Sequence, residues 1–166
     1  MNIKFAALLA GALLSAAGIA AAKPCAKPAD VTAFDVAGLK SKLMVTALTC
    51  NQQDRYNDFV QRFRGELVAH ERALHAYFAR TFGGRAQHEQ DDYITSLANT
   101  LSETGIQQGT LFCQQNVGIF GEVLALARGT ELAGYAASKQ LPQPIAIEAC
   151  PAAAVTRTAQ AGSNRR

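Results

Sequence analysis

The chain has 166 residues, 49% of them hydrophobic and only 17% charged, and it contains no tryptophan. That length suits one domain, and that apolar content suffices for a core. The formal net charge of +3 is no basic footprint, because positions 23–150 carry 12 Lys and Arg against 13 Asp and Glu; this near-neutral balance excludes nucleic acid as an expected partner.

Residues 1–22 read as a secretory signal peptide. Lys4 supplies the positive start, an Ala- and Leu-rich run follows, and Ala20 and Ala22 fit the small-residue cleavage rule, so Lys23 becomes the first mature residue. The run is shorter than the ~20 residues a spanning helix needs. Lys23 and Pro24 do not suit a lipoprotein site before Cys25. A periplasmic or secreted protein that does not span the membrane after cleavage is therefore expected. Its four cysteines, Cys25, Cys50, Cys113 and Cys150, are an even number in an exported chain and imply two disulfides. No CxxC or CxxCH spacing occurs, so neither a redox motif nor covalent haem is indicated.

Residues 23–34 contain Pro24 and Pro28 and are predicted to be extended. Residues 35–139 are predicted to form a helical bundle. Asp35 is placed as an N-cap, and Val36, Leu39, Leu43 and Ala47 recur at offsets of three or four, which marks one helix face. The longest helical pattern covers 53–81, with Tyr56, Phe59, Phe63, Leu67, Leu74 and Phe78 among its apolar stripe. Asp54, Asp58, Arg62, Glu66 and His70 step by four along another face, as on a solvated helix surface. Gly65 predicts a bend or break within this stretch, and Gly83 and Gly84 its end. A helix over 88–103 follows, with Gly105 expected to close it.

The stretch 110–127, TLFCQQNVGIFGEVLALA, has apolar groups on nearly every side and is expected to be the buried centre of the bundle, capped by Thr110. Thr130 is placed at the start of a short helix to residue 137. Residues 140–166 are predicted to be an irregular Pro- and Ala-rich tail, disordered from Ala152 on.

The segments FDVAGLKSKLMVTALTC, YNDFVQRFRGELVAHERALHAYFARTFGG and LFCQQNVGIFGEVLAL resemble an uncharacterised family of small exported all-helical proteins of alphaproteobacteria. The resemblance covers about the middle 60% of the chain. It implies a helical fold and an exported location, and that family carries no assigned activity.

Catalytic groupings are absent from the sequence. There is no HExxH, GxSxG, P-loop or dinucleotide fingerprint. His70 and His75 lie five apart and diverge around a helix, so they do not face one metal. Glu66 with His70, or Glu71 with His75, supplies two ligands, short of a structural zinc site. Met44 is the one methionine left after cleavage, and non-covalent haem is not expected. No catalytic residue, cofactor site or metal site is assigned.

The expected fold is all-α, a four- to five-helix, mostly up-down bundle with disulfides. In that order, the end of the first helix and the start of the 110–127 helix share one pole, which pairs Cys50 with Cys113. The two chain ends share the other pole, which pairs Cys25 with Cys150. The expected function is a non-enzymatic helical bundle that binds a protein or cell-envelope component. The alternatives are an enzyme with a site near His70 and Glu66, completed by Arg62 and Tyr77, and a small-ligand or metal carrier.

Overall fold

A computed structural model describes residues 25–151. The signal peptide expected at 1–22, residues 23 and 24, and the tail from 152 on lie outside the described residues.

The first helix, α1 (Pro28–Cys50), starts earlier than the sequence pattern indicates, so residues 28–34 are helical and not extended. Pro28 has no N–H to lose at a helix start. Asp30 then turns back and accepts the Lys27 backbone N–H at 2.7 Å, as in the returning half of a capping box. Asp35 therefore lies inside the helix. The Asp30 carboxylate also receives Arg80 Nη2 at 2.6 Å, which ties the start of α1 to the end of α3 (Arg64–Phe82). At its other end α1 stops at Asn51, in the left-handed region at φ 56°, with the Asn51 N–H on the Ala47 carbonyl.

This helix, and not 110–127, is the centre of the molecule. Twelve of its 23 residues are buried, and they face two separate cores. On one side Phe34 and Val45 meet Leu74, Phe78, Tyr93, Leu97 and Phe112. On the other, Leu39 and Leu43 meet Phe59, Phe63, Phe120, Val123 and Leu132. Phe34 anchors an edge-on aromatic group, with ring centroids 4.9 Å from Tyr77 and 5.1 Å from Tyr93. Such pairs contribute about 0.5–1.5 kcal/mol each beyond the area they bury.

The stretch 110–127 divides at Val117 into two short helices, α5 (Leu111–Asn116) and α6 (Gly118–Leu124). The Asn116 side chain donates to the Phe112 carbonyl at 2.7 Å, and Gly118 follows, so the ladder has little to carry it across. Only Phe112, Phe120 and Val123 of this stretch are buried, while Leu111 is 53% exposed. Thr110 has helical backbone angles and makes no side-chain cap.

Residues 53–82 form one bent rod. Helix α2 (Gln53–Arg62) gives way to α3 at Phe63, two residues before the glycine. The backbone bonds Phe63 to Phe59 and Leu67 to Phe63 persist across the bend, so the chain does not reverse there. A three-residue 3-10 turn, Gly83–Arg85, with Gly83 at φ +56°, leads into α4 (Ala86–Gln108). Helix α4 runs through Gly105 and ends at Gly109 instead. Gly105 is buried, and a Cβ there would lie 3.5 Å from the Phe112 ring, so it serves helix packing and not termination. After a second 3-10 turn, Gly129–Glu131, α7 (Leu132–Ser138) packs on α1.

From Gln140 the chain becomes an irregular strap laid along α1. It crosses where Gly38 leaves room, with a virtual Cβ only 3.1 Å from Gln143 Nε2. Gln143 donates to the Phe34 carbonyl at 3.2 Å and accepts from the Tyr93 hydroxyl at 2.8 Å. The strap ends in a parallel bridge between Ala26 and Ala149, beside the Cys25–Cys150 disulfide. The second disulfide joins Cys50 to Cys113 at the opposite pole. The fold is thus an all-α bundle whose central helix has a disulfide near each end. No helix among the described residues is long and apolar enough to cross a membrane.

Candidate functional site

The two cores part along one face of α1, and a cavity of about 200 Å³ opens at this seam. Its walls come from four helices. Ala33, Val36 and Ala37 of α1 form the floor, and their short side chains leave the space. Leu67 and Leu74 of α3 and Ile94 of α4 close the sides, with Met44 at the far end. Ile94 is 40% exposed and stands at the rim.

Polar groups ring this apolar interior. Lys40 and Ser41 come from α1, Tyr56 from α2, His70 and Glu71 from α3, and Gln90 from α4. The Ser41 side chain is buried, and its Oγ has no hydrogen-bond partner. A buried hydroxyl left unpaired costs about 1–3 kcal/mol. Lys40 has no carboxylate within ion-pair distance among the described residues. Burial pushes the pKa of the Tyr56 hydroxyl above its ordinary value. The Nδ1–H of His75 donates to Gln90 Oε1 at 2.9 Å. That bond engages the Gln90 carbonyl and leaves its amide N–H groups available.

The enzyme constellation considered from sequence is not assembled. His70 reaches the cavity. Arg62 instead donates to the Leu126 carbonyl, and Glu66 lies against Gly129, with its Cγ 3.2 Å from a virtual Cβ there. Tyr77 is locked in the aromatic group around Phe34. His75 pairs with Gln90, and His88 with Asp92 at 3.0 Å. Among the described residues no three His, Cys, Asp or Glu side chains converge as a metal site.

Sequence reasoning did not single out Lys40, Ser41, Tyr56, Gln90 or Ile94 as a site. The available signal was a stripe on α1, in which Ala33, Ala37 and Ser41 recur at offsets of four with side chains too small to fill a core position. The other walls come from distant segments and carry no local spacing.

Two further polar groups lie elsewhere. Lys42 is buried, with Nζ 4.8 Å over the Phe112 ring, and burial lowers its pKa. On the surface, the Glu122 carboxylate accepts from Lys139 and from the Tyr135 hydroxyl, which holds it below the usual carboxylate range.

No protein-family profile, curated protein or solved structure matches this chain.

Proposed function

We propose that this protein is a non-enzymatic binding domain that works outside the cytoplasm and takes a small, largely apolar molecule into the cavity beside α1. The observation that carries this reading is the cavity of about 200 Å³ itself, walled by Val36, Ala37, Leu67, Leu74 and Ile94, with Lys40, His70 and Gln90 among its polar lining. A concave apolar site with a few convergent polar groups is the usual form of a small-molecule site. The two disulfides support an oxidising compartment, hence a periplasmic or secreted location.

The test is binding of a panel of eight-carbon alkyl compounds, followed by amide NMR shifts at residues 33–44 and 67–74. The expected result is saturable shifts confined to these segments. They should be abolished by Ala37→Phe, which fills the space. Absence of such shifts with every compound would overturn the reading.

A second reading, binding of a protein or cell-envelope component, is favoured by three exposed aliphatic side chains. Leu48 is 65%, Ile106 80% and Leu111 53% exposed. Leu48 and Leu111 each lie two residues from a cysteine of the Cys50–Cys113 bridge. Capture of one specific envelope component, lost on Leu111→Glu with the cavity shifts intact, would support it.

A further inference from the structure

We infer that the ligand is an aliphatic monocarboxylate with a chain of about six to eight carbons, its head held by Lys40 at the cavity mouth; this rests on the reading of the cavity as a ligand site. Size comes first. A cavity of about 200 Å³ exceeds the ~150 Å³ of an engineered site that takes up benzene, so it suits one short chain and not a long acyl tail. Shape agrees, because the apolar walls are aliphatic apart from Tyr56 and the aromatic group around Phe34 is packed against itself elsewhere.

The head group follows from counting donors and acceptors at the mouth. Lys40 offers an ammonium with no ion-pair partner among the described residues. Tyr56 offers a hydroxyl, and Gln90 has its carbonyl already engaged by His75. Against these donors stands one anion, Glu71, which is exposed. His70 also lines the mouth and adds a ring nitrogen. Ionised carboxylates only accept hydrogen bonds, so a carboxylate answers several of these donors at once. A neutral alcohol answers fewer, and an ammonium none but Glu71. A chain held through an ester, as in a membrane lipid, lacks the charge that Lys40 would meet.

The experiment is calorimetric titration of the disulfide-intact protein at pH 7.5 with octanoate, methyl octanoate, 1-octanol and octylamine. Octanoate should bind most tightly. It should exceed the ester and the alcohol by about tenfold, as a charge-assisted hydrogen bond implies. Lys40→Gln should remove this preference and leave 1-octanol within about twofold. Glu71→Gln should tighten octanoate, a change that a merely structural role would not produce. Methyl octanoate binding as well as octanoate overturns the carboxylate assignment. So does octylamine binding most tightly, which would make Glu71 the anchor; both results leave the cavity reading standing. Failure of all four compounds overturns both.

Discussion

The two disulfides are nested, and this makes their energetic coupling calculable. Cys25–Cys150 spans a sequence separation of 125 and encloses Cys50–Cys113, with a separation of 63. In the chain-entropy account, closing an inner loop of about 64 residues stabilises the fold by about 4 kcal/mol. With that bridge in place, the outer one closes a ring of about 64 residues, made of positions 25–50 and 113–150. Without it, the ring has about 126 residues. Each doubling of loop length is worth about 0.6 kcal/mol. Replacing either pair by alanine alone should therefore cost about 4 kcal/mol. Replacing both should cost about 0.6 kcal/mol more than the sum of the single losses. Urea unfolding of the parent and the three variants, followed by helix circular dichroism, gives all four terms, and m should rise as each bridge leaves the denatured chain freer. A loss below about 1 kcal/mol for the outer pair would refute the reasoning. It would mean that the strap does not constrain the unfolded chain.

Four other outcomes follow from particular contacts. Gly38→Val should destabilise by about 2 kcal/mol, since its side chain meets Gln143 and Leu141. Gly65→Ala should stabilise by up to about 1 kcal/mol, since nothing lies within 4 Å of a Cβ there; urea midpoints distinguish the two, and the opposite order would discredit the strap packing. Asp30→Ala removes both the Lys27 cap and the Arg80 ion pair, so a loss of about 2 kcal/mol with faster amide exchange at the start of α1 is expected. Tyr135 is pushed up to about 12, first by burial and then by Glu122, and burial likewise raises Tyr93. The unfolded chain releases these protons near the ordinary value of 10.0 while the native fold keeps them, so stability should fall as pH rises from about 10 toward 12. Tyr135→Phe should flatten part of that fall, and a level stability between pH 10 and 11 would contradict the assignment.

Helix positions were legible where apolar side chains recur with one face, as over 53–81 and 88–103. The cysteine pairing was legible because it depends only on how many times the chain reverses, and Phe63 bends the rod without reversing it. What misled was counting apolar residues as if each were buried. The stretch 110–127 is rich in them, yet it packs through Phe112, Phe120 and Val123 alone. Helix α1 holds the centre with Phe34, Leu39 and Leu43 in its two cores and with the small buried Ala33, Gly38, Ser41, Thr46 and Ala47 between them, which let its neighbours approach closely. Gly105 shows the same confusion in miniature: a glycine near a helix end suggests a stop, and only the Phe112 ring beside it reveals a packing role. The cavity was hidden for a related reason. It exists where four helices fail to fill a seam, and only the small Ala33, Ala37 and Ser41 on α1 mark it locally, while the walls they face come from distant segments.

The clasp at the chain ends has a mechanical consequence. Cys25 and Cys150 stand with Cα atoms 4.8 Å apart. Tension applied to the chain on either side of that pair passes through one covalent bond and never loads the helices. Under force the 125-residue span contributes no extension while the bond is oxidised. Reducing both bridges frees about 400–450 Å of contour. Reducing the outer one alone frees only about 200 Å, because Cys50–Cys113 still short-circuits the middle of the chain. Thiol chemistry, and not the free energy of folding, therefore sets the reach of anything tethered through this domain.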